Sequence, residues 1–338
     1  MRLLLLGVLV AGLGARPARA GTPGTVGAEF LTIEQGARAI GMGGAFAAVA
    51  DDAGALWWNP AGLGRAQFAE YTLSHTAFIE NVSAEYLGYV RPYAPLGGAF
   101  GASLTYLSVP GIEGTDALGA STGKIKAGGY VGAVSFGTEI SSTGVTIGAT
   151  GKYISQTLGT NSGTGFAADA GAQYRNEDWG LGVSVQNLGP SFKIGDVADP
   201  LPQILRGGAF CKIWDRRMTL SAEQERPYND AAVTHFGAEW LLRDGLRLRG
   251  GVVRRPELGG GAGVSAGFGL AGAYGGDSGE KNPEADAFKP FWERAAAASG
   301  RDFKTAVKQG AVIIGIDYAF VSYGDLDTVH RVTLSARF

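Results

Sequence analysis

The last eight residues of the chain alternate strictly. Val332, Leu334, Ala336 and Phe338 are apolar, and Arg331, Thr333, Ser335 and Arg337 are polar. Neighbouring side chains of a strand point to opposite faces, so this segment has one greasy face and one wet one. The design recurs upstream. Val312, Ile314, Ile316, Tyr318 and Phe320 share a face opposite Gly315 and Asp317, and Leu246, Leu248 and Val252 alternate with Arg247, Arg249 and Val253. Trp179, Leu181, Val183 and Val185 alternate with Gly180, Gly182, Ser184 and Gln186. Phe166, Ala168, Ala170, Ala172 and Tyr174 alternate with Ala167, Asp169, Gly171, Gln173 and Arg175.

A soluble sandwich alternates too, so run length and aromatic placement decide between the two. Runs of about ten residues suit tilted strands crossing a bilayer, against about five or six in soluble sheets. Aromatics stand near run ends (Tyr174, Trp179, Trp240, Phe320, Phe338), where interfacial girdles belong. The pattern predicts an all-β fold, a transmembrane antiparallel β-barrel of about 14 strands. The strands are expected to start near Gln67, Glu85, Ala99, Ala127, Gly144, Gly165, Trp179, Ile204, Met218, Val233, Leu246, Gly263, Ala311 and Thr328.

Four connections carry turn chemistry: Ser141-Ser142-Thr143, Asn176-Glu177-Asp178, Asp215-Arg216-Arg217 and Arg243-Asp244-Gly245. Strand counting puts all four on one side, the periplasmic one if both ends of the barrel lie there. On the other side, Pro110 to Ile125 and Pro190 to Pro200 are expected as outer loops of modest length. Residues 276–309 read as a long connection with a short helix after Pro290, which strand counting places on the periplasmic side, against the rule of short turns there. It is expected to be either a disordered or surface insertion, or a periplasmic docking element or lid using Phe288, Phe291 and Trp292.

Composition sharpens the picture. The 338 residues are 45% hydrophobic and only 18% charged, with 56 Gly. A soluble enzyme usually carries charge on about a quarter of its residues. Residues 1–20 read as an export signal, with Arg2, an apolar run from Leu3 to Leu13, and Ala18-Arg19-Ala20 for cleavage; a retained anchor is the alternative. That segment holds three Arg and no acid, so its removal takes the formal charge from −2 to −5. No basic patch remains for nucleic acid. Cys211 stands alone, so no internal disulfide can form.

Residues 21–66 lack alternation and are dense in Gly and Ala, as a segment threaded through a crowded lumen would be. Residues 67–338 then form the barrel around this plug. Asp51 or Asp52 is expected to cap a short helix ending before Asn59-Pro60, with cation binding as the weaker alternative.

Gly36-Ala37-Arg38-Ala39-Ile40-Gly41-Met42-Gly43-Gly44, followed by Asp51-Asp52 and Trp58-Asn59-Pro60-Ala61, resembles the N-terminal motif of PorV/PorQ-type proteins. These belong to the wider FadL-like group of long-chain fatty acid transporter barrels. The resemblance implies a fourteen-stranded barrel with an N-terminal hatch, and the terminal Phe338 resembles the assembly signal of outer-membrane barrels. It also implies partners: outer-membrane lipid, the barrel-assembly machinery, and either a hydrophobic ligand or a secretion system. No ligand residues carry over.

Chemistry signals are sparse. Gly263-Val264-Ser265-Ala266-Gly267 matches a nucleophile elbow but lies inside an alternating strand. His75, His235 and His330 lack metal-ligand spacing, and the Gly-rich runs lack a dinucleotide-binding frame, so neither enzyme activity, metal nor cofactor is expected. Charges expected to face the lumen are Glu70, Asp169, Arg175, Arg206, Lys212, Glu223, Glu239, Arg247, Arg249, Asp317, Arg331 and Arg337. They serve either as ordinary polar lining or as Arg–carboxylate fixings for the plug. Two functions follow: a hatch-gated conduit for small hydrophobic molecules, or a docking accessory of a secretion machine with a closed lumen.

Overall fold

The computed structural model describes residues 25–141, 143–228, 230–243, 245–255, 262–275, 311–322 and 328–338. The export signal and the 276–309 insertion lie outside the described residues. Fourteen strands close into a barrel in which chain neighbours are antiparallel neighbours. They are β1 (Glu70–Ala77), β2 (Ser83–Tyr93), β3 (Gly98–Thr115), β4 (Ser121–Glu139), β5 (Val145–Leu158), β6 (Asn161–Arg175) and β7 (Trp179–Leu188). After a small separate hairpin, β8 (Phe192–Ile194) and β9 (Val197–Asp199), come β10 (Ile204–Ile213), β11 (Met218–Pro227) and β12 (Val233–Arg243). The wall ends with β13 (Leu246–Arg254), β14 (Ala262–Gly275), β15 (Ala311–Ser322) and β16 (Thr328–Arg337), which pairs back onto β1. Closure gives every strand of the wall a hydrogen-bonded neighbour on both sides over the barrel proper, which removes most of the usual template for edge-to-edge aggregation. The seam runs past the last strand residue. Phe338 N–H donates to the Ala69 carbonyl at 3.0 Å, and Ala69 N–H returns the bond at 3.1 Å.

Alternation sets the two faces as the sequence demands. On β1, Tyr71 and Leu73 are exposed while Thr72, Ser74 and Thr76 are buried; on β16, Val332 and Leu334 are exposed while Arg331 and Thr333 are buried. Aromatic pairs ring the end that carries the short turns: Tyr71–Tyr89 at 4.5 Å, Phe100–Phe136 at 4.7 Å, Tyr174–Trp179 at 5.1 Å and Trp214–Trp240 at 6.2 Å.

The structure corrects two expectations. Several strands far exceed ten residues: β3 has 18, β4 has 19, β6 has 15, and β5 and β14 have 14. Consequently Pro110 to Ile125 is not a loop but the outer part of the β3–β4 hairpin, where Ile112 pairs with Ile125 and Glu113 with Lys124. Glycine and polar residues blur the alternation there, yet the ladder continues because each strand supplies the other's backbone partners. The Pro190 to Pro200 connection likewise contains the β8–β9 hairpin, whose Phe192 is buried.

Residues 25–66 contain no strand. They form a 3₁₀ turn (Glu29–Thr32), a short helix (Ala37–Gly41), a second (Ala55–Trp58) and another 3₁₀ turn (Pro60–Arg65). Gly43 and Gly44 take φ of 64° and 75°, a left-handed bend that L side chains resist. This segment bonds to strands all around the barrel: Ala37 N–H to Thr333 on β16, Ala47 N–H to Glu223 on β11, Ala53 N–H to Glu70 on β1, and the Trp58 carbonyl to Ser184 on β7.

Candidate functional site

The interior is where the chain concentrates its charge and its largest buried side chains. Inward-facing glycines make room for the N-terminal segment. A Cβ at Gly182 would strike the Ala47 carbonyl, one at Gly171 the Asn59 amide, and one at Gly237 the Met42 carbonyl. Close backbone approach, rather than flexibility, explains glycine at these strand positions.

The middle of the lumen is packed with apolar side chains. Ile40, Met42, Phe46, Val49, Leu56, Trp57, Trp58 and Leu63 form one buried cluster with Val90, Phe210 and Val321 of the wall. Trp58 is completely buried; its ring meets Phe46 edge-on at 5.9 Å and its Nε1 donates to the Gln35 carbonyl at 2.8 Å. A second cluster lies toward the long-loop end, joining Phe30 and Leu31 to Val131, Ile154, Phe192 and Leu201.

Polar contacts fix the segment on both sides of this core. On the short-turn side, Arg38 grips Glu239 of β12 with two nitrogens and reaches Asp51 at 2.6 Å and Asp52 at 2.7 Å. Arg175 of β6 pairs with Asp51 at 2.9 Å and stacks on Phe210. Burial opposes the charge on Asp51, but Arg38 and Arg175 hold its carboxyl well below the usual carboxylate range. Burial likewise opposes the Arg38 charge, and Glu239, Asp51 and Asp52 more than offset it. Asp52 also accepts from Gly54 N–H at the start of the second helix, which ends at Trp58. Asn59 does two jobs: its amide donates to the Ala47 carbonyl at 2.8 Å and the Val183 carbonyl at 3.2 Å, and its Oδ1 caps the turn beginning at Pro60 by accepting from Ala61 N–H. Gly36 opens the first helix at φ 84°, and the Gly41 carbonyl accepts from Ser265 of β14. Ser265 therefore sits in a strand rather than at a strand-to-helix elbow.

On the long-loop side, Arg206 of β10 is buried between Glu223 at 3.1 Å and Glu225 at 2.8 Å, and lies over the Trp57 and Trp58 rings. His235 Nδ1 bonds to the Gly43 carbonyl at 2.7 Å; a carbonyl only accepts, so this nitrogen carries the proton. Asp169 of β6 pairs with Lys152 of β5 at 2.8 Å and accepts from Asn187 N–H, where β7 bulges.

Of the charges anticipated for the lumen, Glu70, Asp169, Arg206, Glu223, Glu239, Arg249 and Arg331 are buried, and Arg175, Lys212, Arg247, Asp317 and Arg337 are half-buried. Lys152, Glu225, His235 and Gln186 belong with them, although the sequence reading did not place them at the site. Their inward phase was visible in the alternation of β5, β11, β12 and β7; what was missing was the partner across the lumen.

Two cavities flank the core. The one at the short-turn end, about 380 Å³, is lined by Arg38, Arg175, Lys212, Arg216, Arg217, Arg247, Arg249 and Arg337, with Asp51, Asp52, Glu70, Glu239 and Asp317. Glu70 bonds to Arg337, and Asp317 to Arg249 at 2.5 Å. The one at the long-loop end, about 250 Å³, is lined by Glu29, Glu34, Glu225 and Asp230 with Arg206, Arg255 and Arg331. A further depression of about 410 Å³ lies on the outside of the wall, by Tyr174, Leu181, Val183 and Leu205. Among the described residues, no group of His, Cys, Asp and Glu is arranged to hold a metal ion.

The fold is shared with known transporters. The toluene transporter TbuX of Ralstonia pickettii is 15% identical, over 90% of this chain and 98% of that one, with a TM-score of 0.57. The Pseudomonas putida toluene transporter TodX is 14% identical, over 90% of this chain and 96% of that one, also at 0.57. No curated protein matches the sequence. The family model of an uncharacterised protein family, UPF0164, matches residues 16–185, half of the chain, and the protein belongs to that family.

Proposed function

We propose that this protein spans a bacterial outer membrane and is a passive, hatch-gated conduit for small hydrophobic molecules, with residues 25–66 as the hatch. The observation that carries the proposal is a closed barrel with apolar side chains outside and a segment inside that is held to the wall by ion pairs and hydrogen bonds as well as by apolar packing. A barrel of this strand count is wide enough to leave an aqueous hole unless something fills it. The fold shared with two toluene transporters supports the same reading. A solute would enter by the 250 Å³ cavity, pass where the hatch yields, and leave by the 380 Å³ cavity. Lateral exit is disfavoured, because every neighbouring strand pair of the wall is hydrogen-bonded.

A second reading, a PorV-like docking accessory of a secretion machine, is favoured by the same dense core. Fully buried Phe46 and Trp58 close the lumen, as a permanently sealed protein would require. Deleting the gene separates the two. Impaired uptake of a monoaromatic hydrocarbon with an unchanged secreted-protein profile supports the conduit; lost secretion with normal uptake overturns it.

A further inference from the structure

We propose that the depression on the outside of the wall is a binding site for one anionic phospholipid, with an acyl chain in the trough and the phosphate at its basic end. The outward rows of neighbouring strands build it. Ala172 of β6, Val183 of β7, Gly207 of β10 and Gln224 of β11 stand side by side in register. Alanine and glycine are too small to fill that row, and with Tyr174, Leu181 and Leu205 around it a trough of about 410 Å³ is left. That volume is in the range of small-molecule sites. On a face turned to hydrocarbon an unfilled trough forfeits dispersion contacts, and an acyl chain supplies them.

One end of the trough is polar. Gln224 is buried although it lies on the outward face; its amide donates to the Val233 carbonyl at 2.9 Å and its Oε1 accepts from Thr234 of β12 at 3.1 Å. Its outward phase follows from its neighbours, since Glu223 and Glu225 turn inward to Arg206. Arg226 shares that phase and lines the trough, and Arg254 of β13, paired across the ladder with Thr234, is exposed on the same face. Both arginines stand at the long-loop ends of their strands. Toward the short turns the outward face is apolar again, with Phe236, Trp240, Leu248 and Val252 exposed. Guanidinium groups at the rim of an apolar trough match a phosphate joined to an acyl chain: the phosphate takes charge-assisted hydrogen bonds, and cations at a bilayer surface favour anionic headgroups. The site rests on the membrane-spanning reading above but not on conduction, because it lies outside the wall.

The test is native mass spectrometry of the purified full-length protein released from a nonionic detergent, with dioleoylphosphatidylglycerol and dioleoylglycerol as separate probes. The two lipids carry the same chains and differ in the phosphate headgroup. The expected result is one phosphatidylglycerol retained per barrel, about tenfold tighter than dioleoylglycerol, with that preference largely lost in an Arg226→Gln/Arg254→Gln double variant. Gly207→Val, which fills the trough from its floor, should weaken both lipids and leave their ratio unchanged. These substitutions face outward and leave the lumenal packing untouched, and circular dichroism checks the strand content of each. Equal binding of the two lipids, an undiminished preference in the folded double variant, or undiminished binding by folded Gly207→Val overturns the proposal. Flotation of the parent with phosphatidylcholine vesicles reports the membrane reading separately. A protein that floats yet shows no preference overturns the lipid site alone, and one that does not float overturns both.

Discussion

Arg38 of the N-terminal segment and Glu239 of β12 form a two-pronged ion pair, Nε to Oε2 at 3.0 Å and Nη2 to Oε1 at 2.9 Å. The residues are 201 positions apart in the chain, so the pair ties the segment to a stretch of wall remote from it in sequence. Arg249 donates to the same carboxylate at 2.7 Å, which leaves Glu239 the hinge of the whole short-turn network.

Removing one partner of such a pair leaves the other charge enclosed and unmatched. Arg38→Met is expected to weaken the hold on the segment by about 2–4 kcal/mol, as for other enclosed hydrogen-bonded charge pairs. In planar bilayers the variant should open more often than the parent. An unaltered closed trace, with the barrel intact by circular dichroism, argues against a hatch held by this pair.

The apolar core gives a prediction of a different kind. Trp58→Ala empties a fully buried site and should destabilise the docked segment by about 3–5 kcal/mol. Gly182→Val acts from the wall, since its side chain would have to occupy the position of the Ala47 carbonyl. Both variants should leave strand content unchanged while exposing residues 25–66 to limited proteolysis. Protection equal to the parent's would show that the segment is not wedged where the packing places it.

Acid should loosen the same end. The Asp51 carboxyl is held below its unfolded value, so its contribution is complete above the unfolded pKa, about 4, and is lost as pH falls below that. Protease resistance of the segment should be flat from neutral pH to about 5 and decline below about 4. Asp51→Asn should remove much of that acid-dependent decline; identical profiles for parent and variant would count against the Arg38–Asp51–Arg175 linkage.

The outward face tests the membrane setting. Val134 on β4 is exposed, and its neighbour Ser135 is buried and bonded to Thr150. Val134→Arg should cost about 2–4 kcal/mol of insertion stability if it lies near the bilayer midplane. The readout is urea titration in lipid vesicles, and a shift of zero would place Val134 outside the hydrocarbon.

Much of the wall was readable from the chain. Trp179, Met218, Val233, Leu246, Ala311 and Thr328 begin strands where the alternation places them, because side-chain phase is a local property with a period of two. The outer half of the β3–β4 hairpin escaped notice because Gly111, Gly114 and Gly123 interrupt its pattern, while the ladder that holds it is a pairing between strands. At the site, the inward phase of Glu239, Arg206 and Asp169 was legible. That Arg38 meets Glu239, that Glu225 faces Arg206, or that Asn187 turns into the lumen at a bulge was not.

The sequence by itself determined a fourteen-stranded alternating wall, the faces of its residues and a glycine-rich segment unable to join the wall. Only the tertiary structure decided which glycine receives which stretch of that segment and which acid answers which arginine. Alternation follows from neighbours along one strand. Pairing across a lumen depends on the register and closure of all fourteen, which no local run of residues encodes.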